Sequence, residues 1–157
     1  MPDIAATYTL NVPTATDIVF NNGGKLRDGQ DYYWLTSIEG LDGPPIRAPI
    51  DNRPQTDGGL VHDFYLGPRH IIVEGFFLIQ STEVYENIRS IRNDMEVALL
   101  AAHMDILRAD GTWSWTPLNE SARSLTVRGD VPVQFRHIDN YRTLSFAFGL
   151  VAADPTW

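Results

Sequence analysis

The sequence predicts a mainly β protein, a β-sandwich or partly closed barrel with one flanking α-helix and a long extended arm. About nine short runs have strand-like composition or alternation and are separated by turn residues. One later segment repeats its apolar residues at helical spacing. A stretch rich in proline and glycine, about residues 40–60, interrupts the strands and suits neither a helix interior nor a central strand.

Length and composition limit the class of protein. The chain has 157 residues, a formal net charge of −8 and no cysteine, and this length predicts a single domain, 1–157. The negative net charge is unlike that of a typical nucleic-acid-binding protein, which has an excess of lysine and arginine. The start of the sequence lacks the basic and apolar regions of a signal peptide, and no apolar run approaches the roughly 20 residues of a membrane span. We therefore expect a protein made in a cytoplasm that does not itself bind membranes.

Short strands fill the first part of the chain. Residues 7–12 alternate, residues 17–20 form a second run, and residues 32–38 form a third, with turn residues between them. The arm follows, with four prolines and four glycines between Gly40 and Gly59. A structureless connection of this length is uncommon in a compact domain unless it has a function. Its Ile46 and Ile50 are apolar residues that a solvated loop does not need.

The strand at residues 70–79 is apolar on both faces. Ile71, Val73 and Phe77 share one face, while Ile72 and Phe76 share the other. A strand of this kind must be covered on both sides. A doubly covered strand beside a long arm indicates a self-assembling protein rather than an enzyme.

The predicted helix covers about residues 82–103, and its apolar residues form one stripe at spacings of three and four. We expect the stripe to face the sheet. With the heavy residues of the neighbouring strands it makes the predicted core: Phe77, Ile88, Ile91, Met95, Ala98, Phe146 and Phe148.

Asp110-Gly111 predicts a type I′ hairpin after the helix, with Arg108 opposite Trp113. Further strands are expected around Leu125 and at residues 131–136, where Pro132 indicates an edge or a strand start. The last strand, about residues 141–152, has one heavy apolar face and one face of small residues. The small face is a candidate for docking the arm or for lining a lumen: Thr143, Ser145, Ala147 and Gly149.

No catalytic or nucleotide-binding motif occurs in the sequence. His62-Asp63 near His70 lacks the ligand periodicity of a metal site, so we expect ordinary polar side chains there. Glu74 stands among apolar neighbours; we expect it to pair with an arginine or to lie where its strand leaves the core, rather than to act as a catalytic acid. The prediction is a protein without catalytic residues, metal or cofactor.

The sequence resembles the N-terminal domain of phage distal tail proteins. The resemblance covers nearly the whole chain, and its order of strand, glycine-proline arm, Asp-Gly-Gly, strand, helix and hairpin is more specific than any one motif. Four segments carry it: residues 38–47 (IEGLDGPPIR), 57–59 (DGG), 72–76 (IVEGF) and 148–155 (FGLVAADP).

This resemblance implies a tail-tube-like fold and a virion structural protein of a long-tailed phage. Six copies are expected to form a ring at the tail tip, between the tail tube and the hub or baseplate, with tape-measure protein and DNA passing through the lumen. Assembly is expected in the bacterial host cytoplasm. An arm of each subunit is expected to clasp its neighbour, and it includes these residues: Ile46, Arg47, Pro49, Ile50, Asp51, Asn52, Arg53 and Pro54.

Two alternatives remain open from the sequence. One is a tail-tube or tail-completion subunit of the same fold, whose copies would stack on one another. The other is a carbohydrate-binding module, since the chain has four tryptophans and six tyrosines. A module of that kind needs an exposed aromatic platform, for which Trp113 with Trp115 is the candidate.

Overall fold

The structure is a computed structural model that describes residues 6–21, 31–42, 46–47, 50–52, 59–61, 65–79, 85–117, 119–137 and 142–154. These ranges contain twelve strands and one helix. In chain order they are β1 Tyr8–Asn11, β2 Ile18–Phe20, β3 Asp31–Glu39, β4 Ile46–Arg47, β5 Ile50–Asn52, β6 Gly59–Val61, β7 Tyr65–Leu66, β8 Arg69–Ile79, α1 Tyr85–Arg108, β9 Gly111–Trp115, β10 Arg123–Gly129, β11 Gln134–His137 and β12 Thr143–Ala152.

Seven strands close into a barrel in the order β10-β9-β1-β2-β3-β8-β12, and β12 then pairs with β10. The closing contact is short, with Arg128 opposite Val151 and Gly129 opposite Leu150. The earlier part of the same edge of β12 pairs with β11. Every ladder is antiparallel except the single parallel pair of Phe20 with Tyr33. The predicted fold class is confirmed, and the partly closed barrel is in fact closed.

A β-bulge at Thr36 keeps β3 aligned with the core. The pairing with β8 shifts between Leu35 and Ser37, so one extra residue is inserted on β3. As a result Tyr33, Leu35 and Ile38 all point inward, although their spacing in the sequence is uneven.

One apolar cluster fills the barrel, with aromatic rings at its centre. The heavy face of β12 points into it, and the Phe146 ring lies 5.4 Å from that of Phe77 and 6.0 Å from that of Phe20. Gly75 on β8 makes room for this packing, because a Cβ there would lie 2.7 Å from Cζ of Phe146.

The helix packs one stripe against this cluster. Ile88, Ile91 and Met95 are buried, whereas Ala98 is only half-buried at the margin of the stripe. The buried Tyr33 hydroxyl donates a hydrogen bond of 3.0 Å to the carbonyl oxygen of Met95, and burial raises the pKa of this phenol. The bond ties the middle of the helix to β3.

The end of the helix holds the loop between β1 and β2. The Asp105 carboxylate accepts hydrogen bonds from the backbone N–H groups of Thr14 and Ala15, at 2.7 and 2.9 Å, and from the Thr14 hydroxyl at 2.8 Å. The Ala15 and Thr14 backbone bonds lower the pKa of Asp105. The bonds fix the loop onto the last two turns of α1.

The predicted hairpin at Asp110-Gly111 is wrong. The helix continues past residue 103 to Arg108, because the buried residues Ala102 and Ile106 extend the helical spacing by one more turn. Trp113 pairs with Leu10 and Leu125 rather than with Arg108.

The arm contains regular pairing that the sequence did not predict. β4 pairs with β7 and β5 pairs with β6, both antiparallel. The two ladders follow one another along the same two stretches of chain, so the arm is a β-hairpin that extends to Leu66, outside the main sheet. Pro49, Arg53 and Pro54 lie outside the described residues.

We predict that Ile91→Ala lowers the free energy of unfolding by about 2–5 kcal/mol, since it leaves a cavity at a buried site of the stripe. Asn87→Ala is the control, because Asn87 lies on the same helix and is exposed; it should change stability by less than about 0.5 kcal/mol. Urea unfolding followed by circular dichroism measures both. Equal stabilities of Ile91→Ala and the unaltered protein would show that the stripe does not support the core.

Candidate functional site

The root of the arm is fixed to the barrel by a glycine. Gly40 follows β3 and has a φ of 88°, a conformation that side chains other than glycine rarely adopt. A Cβ at this position would lie 1.8 Å from the carbonyl oxygen of His70. Because Gly40 has no side chain, the backbone at the end of β3 can pass close to the backbone at the start of β8.

A buried arginine also holds the root. Arg69 donates a hydrogen bond of 3.2 Å from Nη1 to the carbonyl oxygen of Leu41, and both residues are buried. Burial lowers the pKa of the Arg69 guanidinium. The direction in which the chain enters the arm is therefore set by the barrel.

The second face of β8 is only partly covered by its own chain. Ile72 is 44% exposed and Trp34, on the neighbouring strand, is 41% exposed, whereas Phe76 and Leu78 are half-buried. We call this outward side of β3, β8, β12 and β11 the outer sheet face. Pairing places four of its residues in one row across the strands: Trp34, Phe76, Ser145 and Arg136.

The predicted small face of β12 belongs to this outer sheet face. Ser145 and Ala147 line a shallow depression of about 390 Å³ with Glu74, Gln134 and other residues. Thr143 lies on the same side of β12 and is half-buried. The structure thus places Thr143, Ser145 and Ala147 on one face of β12, as the alternation of the sequence predicted.

Gly149, the fourth member of the predicted small face, is already covered by its own chain. A Cβ there would lie 2.9 Å from Cβ of Val131. Its N–H donates to the Val131 carbonyl oxygen and its carbonyl oxygen accepts from the Asp130 N–H, both at 3.0 Å. Gly149 is therefore in contact with the chain that follows β10, near the closing pair of strands, and is not part of an open docking surface.

A buried histidine completes the contacts of Gly149. His103 on the helix is 1% exposed, and its Nε2 lies 3.2 Å from the Gly149 carbonyl oxygen. That carbonyl oxygen is an acceptor, so Nε2 carries the hydrogen. Burial lowers the pKa of the His103 imidazole, and the hydrogen bond to Gly149 opposes this effect.

The helix carries a second apolar stripe that the sequence interpretation missed. Its four residues are 38 to 56% exposed and lie outside the core cluster, the last of them at the margin beside Gly129: Val97, Leu100, Met104 and Leu107. We call them the helix stripe. Their spacing of three, four and three is visible in the sequence, but spacing alone does not say which of two apolar stripes faces the core.

Trp113 and Trp115 do not form the exposed aromatic platform that a carbohydrate-binding module would need. Trp113 is fully buried and Trp115 is 7% exposed. The ring of Tyr8 stacks on both, with centroid distances of 5.5 and 6.3 Å. These tryptophans hold the barrel together, and the module hypothesis loses the surface on which it depended.

The titratable residues singled out in the sequence have different surroundings in the described part of the chain. No group of three histidine, aspartate or glutamate side chains among them is placed to hold a metal ion. His70 instead contacts Asp130 at 2.9 Å, while His62 and Asp63 lie outside the described residues. Glu74 is exposed in the middle of its strand. No helix in the described part of the chain is long and apolar enough to cross a membrane.

Two solved structures share this fold. One is the phage SPP1 Dit protein (gp 19.1), described as a paradigm of the hub adsorption apparatus in phages that infect Gram-positive bacteria. It matches 94% of this chain and 50% of its own, with 16% identity and a TM-score of 0.56. The other is a chain of the phage p2 baseplate in its activated conformation, which matches 96% of this chain and 45% of its own, with 11% identity and a TM-score of 0.56.

This chain therefore spans about half the length of each of these two chains. No family model matches the sequence, and no curated protein does. At such low identities the likeness is one of fold.

We predict that His103 makes stability depend on pH. Its folded-state pKa lies below its unfolded value of about 6.5, so the unfolded chain binds the proton more readily. The free energy of unfolding is then highest above about pH 6.5 and falls as the pH drops toward the folded-state pKa.

Urea unfolding between about pH 5 and pH 8 tests this. His103→Gln should flatten the profile across this range, whereas His137→Gln, at an exposed position on β11, should leave it as in the unaltered protein. A profile that His103→Gln does not change would contradict the assignment.

Proposed function

We propose that this chain is a virion structural protein of a long-tailed phage, whose copies form a ring at the tail tip. The observation that carries the proposal is a fold shared over nearly the whole chain with a hub-adsorption protein and a baseplate chain. The arrangement of motifs noted in the sequence points to the same class, the distal tail proteins. In this role the protein is a minor tail component without catalytic function.

The outer sheet face supports assembly. Large apolar residues such as Trp34 and Ile72 are exposed there beside the half-buried Phe76. Contiguous exposed apolar surface marks sites of interaction with other proteins. Both faces of β8 were expected to be covered, and in this proposal a neighbouring subunit covers the second one.

The arm is proposed as the clasp between subunits. Its hairpin lies outside the main sheet and leaves the barrel at a root held by Gly40 and Arg69. Ile46 and Ile50 belong to its strands. We place its docking site on the part of the outer sheet face lined by Ser145 and Ala147. Contact between two different surfaces of the same chain closes into a ring when the rotation permits.

Six copies form the ring in this proposal. The tail tube lies on one side and the hub or baseplate on the other, while tape-measure protein and DNA pass through the lumen. Subunits are made and assembled in the cytoplasm of the bacterial host. A tail-tube or tail-completion subunit is the alternative on the same fold; the likeness to hub and baseplate chains favours the tip. Filaments formed by the purified protein would favour the tube.

We predict that replacing residues 47–57 with a short Gly-Ser linker leaves a folded barrel that no longer forms rings, because β5 and half of β4 are removed while the main sheet is untouched. Circular dichroism and analytical ultracentrifugation measure fold and assembly. The matched variant Ile46→Ser with Ile50→Ser keeps the length of the arm and should also weaken assembly. Intact rings in both variants would mean that the arm is not the clasp, and loss of fold would mean that it belongs to the core.

We also predict that the assembled ring does not retain duplex DNA. Each subunit carries −8 formally, so six copies carry −48, and tight binding to phosphates needs clustered lysine or arginine. Gel-shift measurements at low and at moderate salt test this, with a basic DNA-binding protein as the positive control. Salt-sensitive retention of DNA by the ring would contradict the prediction.

A further inference from the structure

Two apolar surfaces of this chain point outward and differ in shape. One is the helix stripe, a convex ridge on α1. The other is the part of the outer sheet face on β3 and β8, which we call the sheet tract: Trp34, Glu39, Ile72, Glu74 and Phe76. A ridge and a broad sheet surface are complementary shapes for helix-on-sheet packing.

The balance of charge beside these two surfaces is opposite, although Arg136 lines the same depression as Glu74 on the sheet. Arg89 and Arg92 lie on the first half of α1, around a depression that also contains His137 and Glu96. No ion pair joins either arginine to a carboxylate within the ranges that the structure describes. By contrast, Arg123 and Arg128, also in those ranges, bind Glu120 and Asp110.

The sheet tract carries the matching carboxylates. Glu74 and Glu39 are both exposed on it, and Glu39 lies opposite Ile72. Neither has an ion-pair partner among the described side chains. Two arginines with no ion-pair partner among the described residues therefore lie near one apolar surface. Two carboxylates of the same kind lie within the other.

We propose that α1 of one copy lies along the sheet tract of the next copy. This inference rests on the ring proposed above and adds the contact that joins its subunits. The helix stripe covers Trp34 and Phe76, while Arg89 and Arg92 reach Glu39 and Glu74. The occupant of each surface is thus a second copy of this chain.

The spacing within the two surfaces agrees with this arrangement. At 1.5 Å per residue, the midpoint of Arg89 and Arg92 lies about 17 Å along the helix from the centre of the stripe. On β8, Phe76 lies about 13 Å from Ile72, the residue opposite Glu39. The flexible arginine side chains span the difference, and their aliphatic parts can cover Ile72. In this orientation α1 runs parallel to β8 of the neighbour.

The contact leaves room for the arm. A helix is about 10 Å wide with its side chains and neighbouring strands are about 4.8 Å apart. The helix therefore covers β3 and β8, while Ser145 and Ala147 on β12 remain available for the arm. Helix and arm would lie side by side on one neighbour.

A two-fold contact between two helix stripes fits less well. Antiparallel stripes centred on one another would cover the apolar residues from Val97 to Leu107 but leave Arg89 and Arg92 outside the contact. The helix-on-sheet contact uses both the apolar and the basic part of α1. It also joins two different surfaces, which is the arrangement that closes into rings.

Charge reversal tests the contact in the full chain. The helix variant Arg89→Glu with Arg92→Glu and the sheet variant Glu39→Arg with Glu74→Arg each place like charges against one another. Each should raise the protein concentration needed for half-assembly by roughly tenfold or more in sedimentation velocity. The combined fourfold variant has the original net charge of −8, restores opposite charges, and should regain assembly.

The matched control is Arg123→Glu with Arg128→Glu, on β10, a strand that belongs to neither the helix stripe nor the sheet tract. Like the helix variant it changes the formal charge of each subunit from −8 to −12, but it should leave the concentration of half-assembly within about twofold. All these positions are exposed or half-exposed, so circular dichroism should report an unchanged fold.

Cysteine crosslinking locates the contact, since the chain has no cysteine of its own. Met104→Cys with Trp34→Cys should give a ladder of disulfide-linked oligomers on mild oxidation, and the control Met104→Cys with Ser124→Cys should not. If the unaltered protein forms no ring, the proposed function fails. If it forms rings but the charge-reversal variants assemble equally well, or the ladder is absent, the ring stands and the helix-on-sheet contact is wrong.

Discussion

The long pairing of β12 with β8 is the interaction on which the rest of the structure depends. It runs from Thr143 opposite Leu78 to Ala152 opposite Arg69. Successive side chains of a strand point to opposite faces, so a slip of one residue would turn the heavy face of β12 outward and its small face inward. The register therefore places Phe146 in the core and Ser145 on the outer sheet face. The free edge of β12 in turn supports both β11 and the closure with β10.

Two exposed apolar surfaces accompany that closure. The barrel encloses the inner face of β8, and Ile72 on its outer face remains exposed. The helix likewise has apolar residues that remain exposed. One stripe of α1 fills the core with Ile91 and Met95, which leaves Val97 and Met104 exposed on the opposite side. Folding of one copy thus leaves two exposed apolar surfaces in the described part of the chain, and the proposed contact between copies would cover both.

The sequence predicted what local periodicity can specify and missed what depends on distant partners. Alternation and helical spacing identified the strands of the barrel and the stripe containing Ile91. The end of the helix was misjudged because Asp110-Gly111 is a strong local hairpin signal, whereas β9 takes its partners from Leu10 and Leu125, far away in the chain. The closure of β12 on β10 and the pairing within the arm are likewise non-local. Of the outward-facing surfaces described above, the small face of β12 was noted from the sequence, whereas the helix stripe was not.

The conformation of the arm bears on the free energy of assembly. A disordered segment loses conformational entropy when it binds, and that loss reduces its affinity. In this protein the root is held by Gly40 against His70 and by the hydrogen bond from Arg69 to Leu41. The two stretches of the arm also pair with each other before any partner is present. In the ring proposed above, this pairing within one subunit would favour assembly, because the paired residues need not become ordered as each arm docks.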